Sequence, residues 1–210
     1  MATSIHPEVV PAKPAEKSTS AIADPGPLGL AAFAMTTFVL SVFNANIIGA
    51  AALAALFLPL ALFYGGAVQI LAGMWEFRKN NTFGALAFSS YGAFWITFAW
   101  YARFIAPGLP AAREHEAAGL FLLAWTIFTA YMLLASFGTT KVLTLVFACL
   151  FATFLLLTVG KLAAPPNANI LKVGGWVGLV TAALAWYHSA SGVTTATLGR
   201  TILPVFPWKK

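Results

Sequence analysis

Glu76 is the first residue of this 210-residue sequence whose chemistry stands out. It lies in an apolar stretch, and no other Asp or Glu occurs between residues 25 and 112 or after residue 116. Gln69 precedes Glu76 by seven residues, close to two helical turns, and the small residue Gly73 lies between them. An amide and an acid on one helix face can bind a small polar solute and exchange a proton with it.

A second interpretation of Glu76 is structural. Arg78 and Lys79 follow it within three residues. Glu76 can therefore equally be an acid at the end of a membrane helix that pairs with these cations at the interface. The sequence leaves proton coupling and anchoring open.

The composition places the chain in a membrane. Hydrophobic residues make up 60% of it and charged residues only 9%, which leaves too little polar surface for a soluble domain. The 12 Lys and Arg give a net charge of +6, but they are scattered at the ends of apolar runs, as in membrane topology rather than nucleic-acid binding. Cys149 is the single cysteine, so an internal disulfide is excluded.

Six apolar segments predict an all-α integral membrane protein with six transmembrane helices. Each is near the roughly 20 residues that cross about 30 Å of hydrocarbon, and none shows the alternation of a barrel strand. The second segment contains Pro59, which predicts a kink or a broken first turn. The segments are residues 27–45, 47–75, 83–102, 117–137, 142–160 and 173–193.

The sequence also predicts domain boundaries and an orientation. Residues 1–24 predict a disordered tail, residues 25–195 a domain of six transmembrane helices, and residues 196–210 a short C-terminal tail. An N-terminus inside the cell places eight basic residues on the inner side and four on the outer side, which favours cytoplasmic N- and C-termini. The inner residues are Lys13, Lys17, Arg78, Lys79, Lys141, Arg200, Lys209 and Lys210, and the outer ones are Arg103, Arg113, Lys161 and Lys172.

Polar side chains in the first and last segments indicate either a path or packing contacts. Phe33, Thr37, Ser41 and Asn44 are spaced by four, four and three residues, so they share one helix face. Their polar groups can line a narrow path, or they can bond carbonyl groups of their own and neighbouring helices. His188 can relay protons or be an interface residue.

Motifs of ATP-driven transport and of hydrolysis are absent from the sequence. It contains no GxxxxGK[ST] loop, HExxH, CxxC pair or GxSxG. The adjacent residues Glu114, His115 and Glu116 make a poor metal cage and are expected to be solvated. We therefore expect no enzyme activity, no metal and no cofactor.

Several separated motifs resemble one family of membrane carriers. They are DPGPLGL at residues 24–30, FAMTT at 33–37, YGG with Gln69 and Glu76 at 64–76, NTFG at 81–84, SYGAFW at 90–95, GWVGL at 175–179 and GRT at 199–201. Their order over residues 24–204 is similar to that of the acetate uptake transporter family, also called the succinate and acetate permease family.

The resemblance implies a carrier or channel of the cell membrane for small monocarboxylates, typically acetate moved with a proton, and in some members succinate. Family members form rings of protomers, commonly homohexamers, in which each protomer has its own pore. The family constriction that closes the pore corresponds to Phe33, Tyr91 and Leu150. The resemblance also implicates Thr36, Thr37, Gln69 and Ala185 in the substrate pathway and Glu76 in proton coupling.

One position departs from the family pattern. The family motif NPAPLGL begins with Asn, and this chain has Asp24 there. An amide can donate a hydrogen bond to a carboxylate, whereas an ionised Asp only accepts one and repels an anion. Asp24 can instead cap the first helix, with Pro25 and Pro27 in the first turn and Gly29 after them.

Three functions remain compatible with the sequence. Proton-coupled transport of acetate comes first, a passive channel for weak acids or ammonia second, and a receptor or scaffold without flux third. The expected partners are acetate or related carboxylates, protons, the lipid bilayer and further copies of the chain, and nucleic acid is not among them.

Overall fold

The helices of this protein confirm an all-α membrane fold. The computed structural model describes residues 22–49 and 55–208, which form six long helices and no β-strand. The helices are α1 (Gly26–Asn44), α2 (Phe57–Arg78), α3 (Thr82–Trp100), α4 (Glu114–Ser136), α5 (Lys141–Leu162) and α6 (Ala168–Leu198). All of these except α3 are long and apolar enough on their own to cross a membrane. The polar and aromatic side chains of Ser89, Ser90, Tyr91 and Trp95 lower the hydropathy of α3.

The start of α2 differs from the prediction. The apolar pattern predicts a helix from residue 47, but residues 45–48 form a turn in which Asn46 has a φ of 56°. Asn tolerates this left-handed conformation better than most residues, so it can end a helix inside an apolar run. The described part of α2 begins at Phe57, and residues 50–54 lie outside the described residues.

Pro59 disturbs α2 as predicted. The first helical turn ends at Pro59, Leu60–Val68 is wound as a π-helix, and regular α-helix resumes at Gln69. Proline lacks the N–H of a regular turn and its ring crowds the preceding carbonyl groups, so a change of winding next to it is expected. The wider turn lies directly before Gln69 and therefore affects the direction in which that amide points.

The six helices pack as a closed ring. Helix α1 packs against α6 on one side and against α2 on the other, and α2 packs against α3. Helix α4 packs against α5 and α5 against α6, and a smaller contact between α3 and α4 completes the ring. Its interior is rich in buried aromatic side chains, among them Phe33, Tyr91, Phe94, Phe147 and Phe154.

Small residues allow α2 and α3 to approach closely. A Cβ atom added at Gly92 of α3 would lie 2.6 Å from Cγ1 of Ile70 and 2.9 Å from the carbonyl oxygen of Gly66 in α2. Both distances are shorter than van der Waals contact, so a larger residue at position 92 must push the two helices apart. The spacing of α2 and α3 thus depends on a glycine at this position.

Gly92→Ala is expected to lower the stability of the protein by about 1–3 kcal/mol, because the added methyl group meets backbone as well as side chain. Thermal unfolding in detergent measures the change. Gly108→Ala is the matched control, since a Cβ atom at Gly108 has nothing within 4 Å. Equal melting temperatures for the two variants would show that α2 and α3 accommodate the added methyl group without a loss of stability.

The C-terminal segment folds back onto the helix bundle. Helix α6 extends beyond its predicted limits of 173–193, and the chain then reverses at Gly199, whose φ is 67°. The carbonyl oxygen of Phe206 accepts a hydrogen bond of 2.8 Å from the backbone N–H of Lys141, and Trp208 Nε1 donates to Thr144 Oγ1 at 3.0 Å. The predicted C-terminal tail therefore packs against the start of α5 as far as residue 208.

The predicted N-terminal tail of residues 1–24 lies outside the described residues, except for residues 22–24. Residues 209–210 lie outside them as well. The basic residues Lys13, Lys17, Lys209 and Lys210 of the orientation argument fall in these two parts.

Candidate functional site

Two cavities lie in the helix bundle, one towards each end. The large cavity, of about 710 Å³, lies where α1 ends and α6 begins, and Asn44 and Lys172 are in its wall. The small cavity, of about 160 Å³, lies where α1 begins and α2 ends, and Asp24, Glu76 and His188 are in its wall.

An apolar wall separates the two cavities. Phe33 and Leu150 line both of them, and Tyr91 lines the small cavity beside Phe33, with ring centroids 6.1 Å apart. All three side chains are buried. The structure thus brings together the three residues that the family resemblance assigns to a constriction.

The helix face of α1 that carries the predicted polar side chains lines the large cavity. Phe33, Thr37, Ser41 and Asn44 all lie in the cavity wall. Thr37 Oγ1 is buried and has no hydrogen-bond partner among the described residues. Since a buried hydroxyl without a partner is unfavourable, Thr37 retains a hydrogen-bonding capacity that a solute can use.

Trp95 is a cavity residue that the motif analysis did not assign to the pathway. It lines the large cavity, and its Nε1 is buried without a hydrogen-bond partner among the described residues. It follows Tyr91 by four residues, so both lie on one face of α3. That spacing was the available signal, although it cannot distinguish a buried packing residue from a pore residue.

The mouth of the large cavity carries three charged side chains. Lys161 Nζ lies 3.7 Å from Glu114 Oε2, and the hydroxyl of Tyr101 donates to Glu114 Oε1 at 3.0 Å. Lys172 adds a second cation to the same wall. Two cations and one acid make this mouth attractive to anions.

Glu76 lies in the wall of the small cavity with only 1% of its surface exposed. Asn81 Nδ2 donates to Glu76 Oε2 at 2.8 Å. Lys79 pairs instead with Asp24, with Nζ and Oδ1 2.8 Å apart. The predicted pairing of Glu76 with Arg78 and Lys79 is therefore wrong, because an amide from the loop after α2 bonds the carboxyl group instead. Proton coupling and anchoring through Asn81 stay open as roles of Glu76.

Gln69 lies in the same wall and is 1% exposed. Its Oε1 has no hydrogen-bond partner among the described residues. Gln69 and Glu76 thus face one cavity, as their spacing of two helical turns predicts.

His188 completes the ionisable groups of the small cavity. It lies in the cavity wall, and its Nε2 lies 3.1 Å from Thr140 Oγ1 at the start of α5. The bond links α6 to α5 at the end of the bundle where the C-terminal segment also packs.

The motif at the start of α1 holds that helix in place. Asp24 Oδ1 accepts a hydrogen bond of 3.1 Å from the N–H of Gly26, the first residue of α1. The carbonyl oxygen of Pro27 accepts one of 2.6 Å from Ser189 Oγ of α6, and Pro25 is buried. A Cβ atom at Gly29 would lie 2.6 Å from the ring of Phe88, so α1 also packs closely on α3.

Two residues of the expected pathway lie away from both cavities. Thr36 is fully buried, donates to the carbonyl oxygen of Ala32 at 3.0 Å, and packs against Gly65 of α2. Ala185 is fully buried in the core of α6. Neither is in the wall of the large or the small cavity, so a pathway role for either must act through packing.

The fold defines a multi-pass membrane protein whose helix bundle holds two cavities that share Phe33 and Leu150 in their walls. The family described as GPR1/FUN34/yaaH matches residues 6–210, and the chain belongs to this family.

Relatives of known name agree with this assignment. The chain is 44% identical over 206 residues to Acetate permease A of Emericella nidulans, covering 89% of this chain and 67% of that protein. It is 40% identical over 184 residues to the succinate-acetate/proton symporter SatP of Escherichia coli K12, covering 88% of this chain and 95% of that protein. The solved structure of the bacterial acetate channel SatP superimposes with a TM-score of 0.80 at 38% identity, covering 88% of this chain and 99% of that one.

Proposed function

We propose that this protein transports acetate and similar small monocarboxylates across the membrane, with succinate as a further candidate, and couples this transport to protons. The observation that carries the proposal is the pair of cavities that meet at Phe33 and Leu150. Relatives named for acetate transport support acetate as the substrate.

The chemistry of the path supports passage of a small anion or its acid. Lys161 and Lys172 attract a carboxylate to the mouth of the large cavity. Thr37 and Trp95 have polar atoms without a partner in the described part of the chain, and these atoms can replace part of the water lost by the solute. The apolar wall then excludes hydrated ions, whose dehydration costs more than a few donors can offset.

Glu76 is the proposed coupling group. It lies beyond the constriction in the small cavity and shares that wall with Gln69. The Asn81 amide donates to Oε2, so a proton on this carboxyl group is placed on the other oxygen, Oε1. A proton carried on that oxygen can be exchanged with an acid that has passed the wall.

A passive channel for weak acids or ammonia is the second candidate. It is favoured by the solved relative, which is described as an acetate channel. It is also favoured by the residues of the proposed constriction, Phe33, Tyr91 and Leu150, none of which carries a carboxyl group or an amine. In this case Glu76 acts only through its bond to Asn81.

Purified protein in lipid vesicles tests both candidates. Acetate accumulation driven by an imposed inside-negative potential at fixed pH requires cotransport of more than one proton per acetate, because this potential alone expels the anion. Equilibration or expulsion of acetate under the same potential indicates a channel. Absence of any acetate flux would favour a receptor or scaffold and overturn the proposed function.

The remaining features of the resemblance are part of the same proposal. We propose residues 25–195 as the transporter domain, cytoplasmic N- and C-termini, insertion in the cell membrane and assembly as a homohexamer. Arg78, Lys79 and Lys141, near one end of the bundle, support the orientation under the rule that basic residues stay inside. Cysteine labelling from each side of the membrane tests the orientation, and the mass of the detergent-solubilised complex tests the assembly.

A further inference from the structure

The hydroxyl of Tyr91 is held by a residue that no motif identifies. It lies 2.9 Å from Thr129 Oγ1 of α4, and both side chains are buried. Thr129 Oγ1 lies 2.7 Å from the carbonyl oxygen of Trp125, to which only the threonine hydroxyl can donate. A threonine hydroxyl has one proton, so Tyr91 is the donor in the first bond.

A hydrogen-bond chain therefore runs from the constriction into the backbone of α4. Tyr91 donates to Thr129, and Thr129 donates to Trp125. The single proton of the Tyr91 hydroxyl is engaged in this chain, so the side chain acts as a wall of the path rather than as a donor to the substrate.

The other neighbours of Tyr91 fix its ring less strictly. Phe33, Trp125, Phe128 and Phe147 surround it at ring-centroid distances of 5.2–6.1 Å. Contacts between aromatic rings have broad energy minima, whereas a hydrogen bond has a narrow range of lengths and angles. The Thr129 bond is thus the directional contact that fixes the outer end of the ring.

We propose that Thr129 is a positioning residue that holds Tyr91 in the constriction and thereby limits the size of the acid that passes. The proposal rests on the proposed function and adds a residue that determines which acids the protein transports. Without the Thr129 hydroxyl, the Tyr91 hydroxyl is left buried without an acceptor. The small cavity adjoins Tyr91, so the ring has space to tilt out of its present position.

A neighbouring threonine pair provides a matched comparison. Thr126 lies one turn before Thr129 on α4, donates to the carbonyl oxygen of Leu122 at 2.8 Å, and lies 3.0 Å from Thr158 Oγ1 of α5. The pair is buried and lies outside the walls of both cavities. Removing the hydroxyl of Thr126 disturbs a similar hydrogen bond on the same helix without affecting Tyr91.

The test measures uptake of radiolabelled lactate and acetate by the full-length protein in vesicles. Thr129→Val is expected to raise the ratio of lactate to acetate flux about fivefold, the scale of one hydrogen bond, and Tyr91→Phe is expected to raise it equally. Thr129→Ser keeps the hydroxyl and is expected to restore the wild-type ratio, and Thr126→Val is expected to leave that ratio unchanged. Should Thr129→Val not reach the membrane, Thr129→Ala replaces it.

The double variant separates positioning from general packing. If Thr129 acts through Tyr91, adding Thr129→Val to Tyr91→Phe produces no further change in the flux ratio, and the losses in melting temperature are not additive. The inference would be overturned by an unchanged flux ratio in Thr129→Val. It would also be overturned if Thr129→Val changed the ratio as much in the Tyr91→Phe variant as in the wild type. Absence of acetate flux in the wild type would overturn the proposed function instead, and the melting temperatures would still test the bond.

Discussion

Replacing Leu150 by Ala is expected to admit larger monocarboxylates such as lactate. Leu150 is 4% exposed and lies in the walls of both cavities, so shortening it removes part of the apolar barrier between them. A bulkier acid then passes without displacing that barrier. We expect lactate uptake relative to acetate uptake to rise about tenfold in vesicles, since differences of one methylene in a hydrophobic pocket act on this scale.

Leu145→Ala is the matched control for this prediction. Leu145 lies on the same helix but is 49% exposed on its outer surface, so its truncation leaves the path intact. Leu150→Ala is also expected to lower stability by about 2–4 kcal/mol, the usual range for truncating a buried leucine. Unchanged lactate uptake in Leu150→Ala, with acetate uptake retained, would remove Leu150 from the constriction.

The positions of the helices were largely predictable from the sequence, because a membrane span is a local property of a continuous apolar run. The main error was the start of α2. Residues 45–48 turn within such a run, and only the left-handed conformation of Asn46 marks the break. Hydropathy does not detect a turn that is built from apolar residues and one tolerant asparagine.

The cavity-lining side chains were partly predictable, and their partners were not. The spacing of Gln69 and Glu76 placed both on one face because that relation lies within a single helix. The bond between Lys79 and Asp24 joins residues 55 positions apart, and the bond between Tyr91 and Thr129 joins residues 38 apart. Such pairs depend on how α1 and α4 pack against α2 and α3, which no local pattern encodes.

The hydrogen bond from Asn81 to Glu76 was not predictable either, although the two residues are only five positions apart in the sequence. Arg78 and Lys79 are nearer in sequence and carry the complementary charge, which favoured them as partners. Helix α2 ends at Arg78, however, and the chain turns at Asn80, whose φ is 57°. The turn brings Asn81 back to the Glu76 carboxyl group, so a neutral donor occupies the place that charge alone would give to a cation.

Replacing Glu76 by Gln is expected to abolish proton-coupled accumulation of acetate while leaving downhill flux. The Asn81 amide donates to Glu76 Oε2, and the side-chain carbonyl of Gln can accept the same bond. The substitution is nearly isosteric, which matters because a Cβ atom at Gly84 would already lie 2.8 Å from Glu76 Cδ. It therefore removes the titratable group and preserves the packing around it.

The readout is acetate accumulation in vesicles under an imposed inside-negative membrane potential at fixed pH, for which we expect at least a roughly tenfold loss of the potential-driven component. Glu116→Gln is the control, because Glu116 is an exposed acid paired with Arg113 at the other end of the bundle. Asn81→Ala adds the opposite test, since it keeps the acid and removes its donor, together with the cap that Asn81 Oδ1 provides for the N–H of Gly84. Its loss of stability therefore sums two bonds, and the accumulation of acetate is the deciding measurement. If accumulation in Glu76→Gln equals that of the wild type, Glu76 serves only to fix the end of α2, and the passive channel becomes the better description of the protein.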